Sequence, residues 1–440
     1  MRNSSKNYNN HNQQYFDKTL LLRFDITGYI LGFFIIASIL SLMVHNVFNQ
    51  NHTYTNIFFV FPILLVLLFV FLRELRSIFL VPELKILILF LVWILFVYFI
   101  RIPVNTESLI KSSIRLSSLL FQILLYFISF KYFYRNSKGL YQIWLYTATS
   151  SIFFLIMSNF FNRNINVLDV IKGVTRYEGI SGPNAHGIIS ALAIISLTAL
   201  LTNKKNILKK FIIFFFISYA SFNLLITGSR WSLFIIFVYI MTYSFKIKYS
   251  LFVIFITIGT VLLIGIDAYL GSSMLRTVFV SIYHMFPYFR LSEYSIIGRI
   301  VPFIWWFEKA KRNFFMPYGL NVFDKELLKL QPLDGSYLAL LLELGLPGLI
   351  LILAFIRLIV LHGNEVLKVN IKQDEDDNYK FVKIALAAFL AISLHGIGET
   401  YIFVGIQLGN ILFWVIAANL SANYYKLKLK NKTHGNMSIP

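Results

Sequence analysis

The sequence predicts an all-α, polytopic integral membrane protein with about twelve transmembrane helices, each on the order of 20 residues, and one long extracytoplasmic loop. Three observations predict it. Hydrophobic residues make up 58% of the chain and the mean hydropathy is +0.70, far above a soluble domain. The apolar stretches are continuous, whereas the strands of a membrane barrel alternate. Connections that are rich and poor in lysine follow one another along the chain, and this asymmetry orients a membrane protein.

The elements follow in order. Residues 1–25 read as a disordered cytoplasmic tail, the first 18 being rich in Asn, Gln and Tyr. The first apolar run begins near Ile26 with no small-residue cleavage site behind it, and reads as a retained signal anchor. Spans are expected near 26–44, 57–72, 84–100, 114–130, 141–161, 184–202, 210–227, 231–245 and 250–270, then 337–361, 381–398 and 402–420. Thus 26–270 holds spans one to nine, 271–336 is the long extracytoplasmic loop, 337–420 holds spans ten to twelve, and 421–440 is a basic cytoplasmic tail. Basic connections at 73–76, 131–138, 204–210, 246–248 and 366–383 put both termini inside. The acidic run Asp374-Glu375-Asp376-Asp377 lies in an inward loop among lysines and reads as a solvated charge run rather than a metal or nucleotide-sugar site.

The net charge of +20 does not point to nucleic acid. It lies in short loops and in Lys426, Lys428, Lys430 and Lys432, where it suits contact with anionic membrane lipid. Cysteine is absent, which removes disulfides, thiolate metal sites and cysteine nucleophiles. No Walker loop, Rossmann fingerprint, His/Glu metal spacing or Ser-His-Asp order occurs, so neither a metal nor a nucleotide cofactor is expected.

Arginine departs from the topology rule. Nearly all lysine falls inward, Lys204, Lys205, Lys209 and Lys210 among it. Arg101, Arg115, Arg163, Arg176, Arg230, Arg276, Arg290, Arg299 and Arg312 fall outward. Arginine grips phosphate bidentately, so these positions suggest an extracytoplasmic site for an anionic, phosphate-bearing substrate. Arg101 and Arg276 enter the candidate site on this ground.

Five stretches carry chemistry. In 176–187, RYEGISGPNAHG, Ser181 is placed to cap the sixth span and Pro183 suits its first turn. The helix start would offer free N–H groups to an anion, with Arg176, Asn184 and His186 at the same mouth; the plainer reading is an ordinary cap and a loop arginine. TGSR, 227–230, is a turn between two spans, with Arg230 at the membrane boundary. A charge there is functional by default, and snorkelling to headgroups is the alternative.

The loop 271–336 is about 65 residues long, and a connection of that length is usually functional. Within it, Gly298-Arg299 opens the stretch 298–312, where Trp305, Trp306 and Phe307 sit beside Glu308, Lys309, Lys311 and Arg312. Such a mixture suits an interfacial amphipathic helix roofing a cavity, or a lipid anchor without chemistry. At 334–348, DGSYLALLLELGLPG, Asp334 falls at or near the cap of span ten. It reads either as that cap or as a carboxylate able to take a proton from a sugar hydroxyl. In 395–400, HGIGET, Glu399 is a candidate counter-ion for an outward arginine, and His395 reads as a hydrogen bonder in helix packing.

Over roughly residues 170–350 the chain resembles the O-antigen polymerase and O-antigen ligase superfamily of bacterial envelope enzymes. The resemblance rests on the glycine-rich turn ending in Pro183-Asn184, on TGSR, on Gly298-Arg299 before the tryptophans, and on the Tyr-Leu…Glu-Leu-Gly…Gly pattern of 337–348. It implies a metal-independent glycosyltransferase at the outer face of the cytoplasmic (inner) membrane. The donor would be a glycan linked to undecaprenyl diphosphate, with membrane lipids and a chain-length regulator protein as partners. Polymerases join one oligosaccharide repeat to the next, making O-antigen or capsule-type polysaccharide. Ligases pass the finished chain to lipid A-core of lipopolysaccharide. The ligase pattern has a His and a small polar residue, then nine residues, then Gly-x-x-Gly; Asp334-Gly335 stand there instead. The missing His favours polymerase, with Asp334, Arg230 and Arg176 as catalytic candidates and Arg299, Asn184, His186, Arg101, Arg276 and Glu399 as diphosphate- or glycan-binding ones. A flippase or other transporter is the alternative from another class. It predicts internal duplication and short outward loops, and neither is visible.

Overall fold

A computed structural model describes residues 27–39, 81–102, 106–136, 139–161, 177, 182–202, 206–227, 229–244, 315, 317–320, 335–372, 376–397 and 407–435. Among them the only regular elements are helices: α1 (Thr27–Ile39), α2 (Leu84–Ile100), α3 (Thr106–Arg135), α4 (Gly139–Phe161), α5 (Pro183–Thr202), α6 (Ile207–Thr227), α7 (Arg230–Ser244), α8 (Ser336–Lys372), α9 (Asp376–His395) and α10 (Leu408–Gly435). Five of them, α3, α4, α5, α6 and α8, are long and apolar enough to cross a membrane. The protein is a helical membrane protein, and helix is what such sequences must form, because lipid offers no partner to a backbone N–H or C=O.

Contacts fix the direction of each helix. Tyr98 meets Ser113 at one end of α2 and Glu83 meets Tyr126 at the other, so α2 and α3 are antiparallel. Trp414 donates to Gln122 and Lys426 to the carbonyl of Phe133, so α10 runs parallel to α3. The same reading shows that α1, α2, α4, α6 and α9 rise and α3, α5, α7, α8 and α10 descend. We call upper the end where α5, α7 and α8 begin; lysines crowd the lower end. Described helices joined by a short connection alternate in direction, as the lysine bias leads one to expect. Helix α1 ends opposite the start of α2, and α7 ends opposite the start of α8. The expected spans 57–72 and 250–270, which would make those returns, lie outside the described residues, as does the aromatic stretch 298–312.

Small residues set the closeness of packing. Ala385, Ala387, Ala388 and Ala391 bury α9 almost completely, and Ala417, Ala418, Ser421 and Ala422 do so for α10. Helix α10 lies along α3, with Tyr126, Phe355 and Trp414 interlocked edge-to-face and tilted. Helix α5 is the hub of a second group with α4, α6 and α7, and α7 packs on α9 to join the two groups. On α6 the large residues Phe211, Phe214, Phe215, Phe222 and Leu225 stay exposed, as a lipid-facing helix requires.

Several boundaries differ from expectation. Helix α8 continues to Lys372, beyond the span expected at 337–361, and is broken at Gly345, where φ is 70° and ψ −174°. Helix α10 starts at Leu408 rather than near 402 and continues through the basic tail to Gly435. Hydropathy marks only the apolar part, and a helix can continue on its polar face into water. Two caps can be placed. The carbonyl of Gly182 accepts from His186 N–H at 3.0 Å, so Gly182, not Ser181, is the N-cap of α5, and Pro183 is its first helical residue. Likewise the carbonyl of Gly335 accepts from Ala339 N–H at 3.1 Å, so Gly335 is the N-cap residue of α8, one position from Asp334, which is expected at or near that cap and lies outside the described residues. Both glycines have positive φ, 81° and 98°, a conformation that glycine adopts more readily than an L-residue.

Candidate functional site

The upper end collects the stretches singled out in the sequence. The 176–187 stretch meets TGSR through Gly187: a Cβ there would lie 2.6 Å from Ser229 Cβ and 2.8 Å from Ser232 Oγ. Only glycine lets α5 and α7 approach so closely. Ser229 caps α7, its carbonyl accepting from Leu233 N–H at 3.0 Å, and its hydroxyl is 2.8 Å from that of Ser232. Arg230 is therefore the first residue of α7, beside the start of α5. The described residues bear on its backbone alone.

The 334–348 stretch meets HGIGET. The Gly396 carbonyl accepts from Ser336 N–H at 2.7 Å and from Tyr337 N–H at 3.4 Å, supplying two of the donors that a helix start leaves unmet. A Cβ on Gly335 would come within 2.6 Å of the Ile397 carbonyl oxygen. Gly409 at the start of α10 abuts Ile188 of α5, and α9, whose upper end makes the second junction, packs on α7 of the first.

Residues 317–320 form a strap across the same end. Ser112 donates to the Leu320 carbonyl at 2.6 Å, and Tyr318 N–H donates to the Leu342 carbonyl at 2.9 Å. Gly319 lies against Arg101, where a Cβ would be 2.7 Å from Arg101 Cβ. Arg101 itself is exposed at the close of α2.

Asn184, in the first turn of α5, is half-buried, and Gly182 before it faces open space. His186 is fully buried, not displayed at an open mouth. Its Nδ1 is 3.2 Å from Ser158 Oγ and its Nε2 is 3.2 Å from Asn223 Oδ1. Since an amide oxygen only accepts, the ring carries its proton on Nε2 and accepts at Nδ1 from Ser158, a tautomer assigned from the network. Asn159 donates to Tyr219 and to Asn223 Oδ1, and Tyr177 donates to Asn159 Oδ1. The ring of Tyr177 stands edge-on to His186 at 4.9 Å. In this arrangement His186 joins α4, α5 and α6 and holds Tyr177, the neighbour of Arg176. Arg176, Arg276, Arg299, Asp334 and Glu399 lie outside the described residues.

One outward arginine has a partner that sequence reasoning missed. Arg115 Nη2 lies 2.7 Å from Glu343 Oε2, and its Nε is 3.0 Å from both carboxylate oxygens; the side chains are 8% and 0% exposed. Glu343 is the glutamate of the Glu-Leu-Gly pattern. A lone acid in an apolar run such as 337–346 is a usable signal, because a carboxylate inside a membrane needs a partner. Glu83 escapes sequence reasoning in the same way, and it lies at the other end of the molecule. No protein-family model matches this chain, and comparison with the curated proteins gives no match.

Proposed function

We propose that this protein is a membrane glycosyltransferase that polymerises oligosaccharide repeats carried on undecaprenyl diphosphate. Its site would lie at the upper end, on the extracytoplasmic side of the cytoplasmic membrane. The observation that carries the reading is convergence: Gly187 of RYEGISGPNAHG meets Ser229 of TGSR, and Gly335 and Ser336 of DGSY meet Ile397 and Gly396 of HGIGET, both at one end of the bundle. The lysine-rich lower end supports the orientation.

The chemistry asked of this end is modest. An acceptor hydroxyl attacks the anomeric carbon of the donor sugar as the bond to the diphosphate oxygen breaks. The energy comes from the sugar–diphosphate bond. Fixed cations near the leaving diphosphate stabilise the charge that develops there, the role assigned to Arg176 and Arg230. Arg101 and Arg299 would bind the rest of the carrier. The hydroxyl proton goes to Asp334. Gly335 and the Gly396 carbonyl already serve the start of α8.

Purified protein given a lipid-linked repeat should extend the glycan. Arg230→Ala and Arg176→Ala should each nearly abolish extension, with Lys restoring little, because a point charge replaces a bidentate fork poorly. Asp334→Asn should fold and bind carrier yet fail to turn over, as should Asp334→Ala. Normal extension by a well-folded Arg230→Ala protein would remove Arg230 from the site. An active Asp334→Asn protein would pass the base role to Glu399, Glu178 or the departing diphosphate. Transfer to lipid A-core instead of to a second repeat would make the protein a ligase.

A further inference from the structure

The top of α8 is a separate piece. At Gly345 the backbone leaves the helix, and Pro347 follows without an N–H. The Leu344 carbonyl, at this break, takes its hydrogen bond from Trp93 Nε1 of α2 at 2.7 Å. The piece 336–344 is then held from every side by polar contacts. Tyr318 N–H of the strap donates to the Leu342 carbonyl, the Gly396 carbonyl takes Ser336 N–H, and Tyr337 Oη donates to the Ser393 carbonyl at 2.8 Å. The strongest hold is Glu343 on Arg115 of α3, three donor–acceptor contacts in a site almost closed to water.

We propose that Arg115 is a positioning residue for glycosyl transfer: through Glu343 it sets the placement of 336–344 and of Gly335, the residue that follows Asp334 in the chain. This rests on the polymerase reading. A bidentate pair resists both sliding and rotation, which a point charge does not. Glu343 lies about two turns, roughly 10 Å, below Ser336. The Gly396 carbonyl holds the piece at its start and Arg115 holds it near its foot, so the helix start has little freedom. A catalytic carboxylate misplaced by about 1 Å loses on the order of a hundredfold in rate. Arg115 already commits its fork to a buried carboxylate, which separates it from Arg176 and Arg230 as a holder of diphosphate.

The chain has no cysteine, so an introduced pair is the only pair. In Ser336→Cys/Gly396→Cys protein, the rate of disulfide closure in detergent reads the placement of the piece directly. Arg115→Met and Glu343→Gln should each slow closure about tenfold. In the cysteine-free background each should lower kcat for glycan extension about a hundredfold, with KM for the lipid-linked donor changed less than about threefold. Arg115→Met/Glu343→Met removes both charges of the pair together, and matched apolar pairs replace buried ion pairs well. It should restore closure and bring kcat to within about tenfold of the parent. A double variant that closes normally but turns over as poorly as Arg115→Met would overturn the proposal and make Arg115 a substrate ligand. Single variants that close at the parent rate would overturn it too. If the parent protein extends no glycan, the polymerase reading fails, while the closure rates still decide whether the pair sets the placement.

Discussion

Two buried carboxylates, Glu343 near the upper end and Glu83 near the lower, answer the same physical demand in different ways. Glu343 meets one permanent cation. Glu83, just before α2, is met by three donors from three helices: Tyr126 Oη of α3 at 2.6 Å, Ser421 Oγ of α10 at 2.6 Å and His362 Nδ1 of α8 at 2.5 Å. The His362 ring in turn stacks flat on Tyr424 at 3.9 Å. At the upper end one guanidinium, that of Arg115 on α3, meets the carboxylate at the broken top of α8. At the lower end the carboxylate is shared among four helices, which ties the bottom of the bundle together. A shared hold degrades gradually and a single hold fails at once. The end whose pieces must be placed individually is the end with the candidate site.

That contrast can be broken experimentally, most severely at the upper carboxylate. Arg115→Ala leaves a buried carboxylate without its cation and should cost about 3–5 kcal/mol, read as a large fall in thermal midpoint of the detergent-solubilised protein. Glu83→Ala should follow at about 2–3 kcal/mol, because three buried donors lose their acceptor. It should loosen the lower end, so protease should cut near α10's basic turn before the upper junctions open. Gly335→Ala should cost about 1–2 kcal/mol, since an L-residue resists positive φ and its Cβ would press on the Ile397 carbonyl; the closure rate of the cysteine pair at 336 and 396 should fall with it. Smallest should be Tyr126→Phe or Ser421→Ala, about 1 kcal/mol each, because two donors remain on Glu83. If Tyr126→Phe proves as damaging as Arg115→Ala, the lower hold is not shared and the contrast is lost.

Much of the upper end is legible in the amino-acid sequence. Pro183 reads as a first-turn residue and is one, and TGSR reads as a turn between helices and is one. Both follow from local backbone rules. The N-cap positions fall on Gly182 and Gly335, next to Ser181 and Asp334, because the first intrahelical bonds are accepted by the glycine carbonyls. His186 reads as facing a mouth because its place in sequence is at a helix start; its burial depends on Ser158 and Asn223, which sit on other helices. The partner of Arg115 is beyond the reach of spacing rules, since Glu343 is 228 residues away.

By itself the sequence determined that the chain forms membrane helices, roughly where most of the described ones run, and that those joined by short connections alternate in direction. Those properties are set locally, by the length of an apolar run, the need to satisfy backbone in lipid, and the charge of the flanking loops. The tertiary structure decided which helix lies against which: α10 along α3, α7 on α9, Gly187 beneath Ser229, Arg115 on Glu343 and three helices on Glu83. Apolar helices of similar composition look alike one at a time. What tells them apart is a close approach permitted by one glycine, or a buried charge that only one neighbour can satisfy, and both come into being only when the helices are packed together.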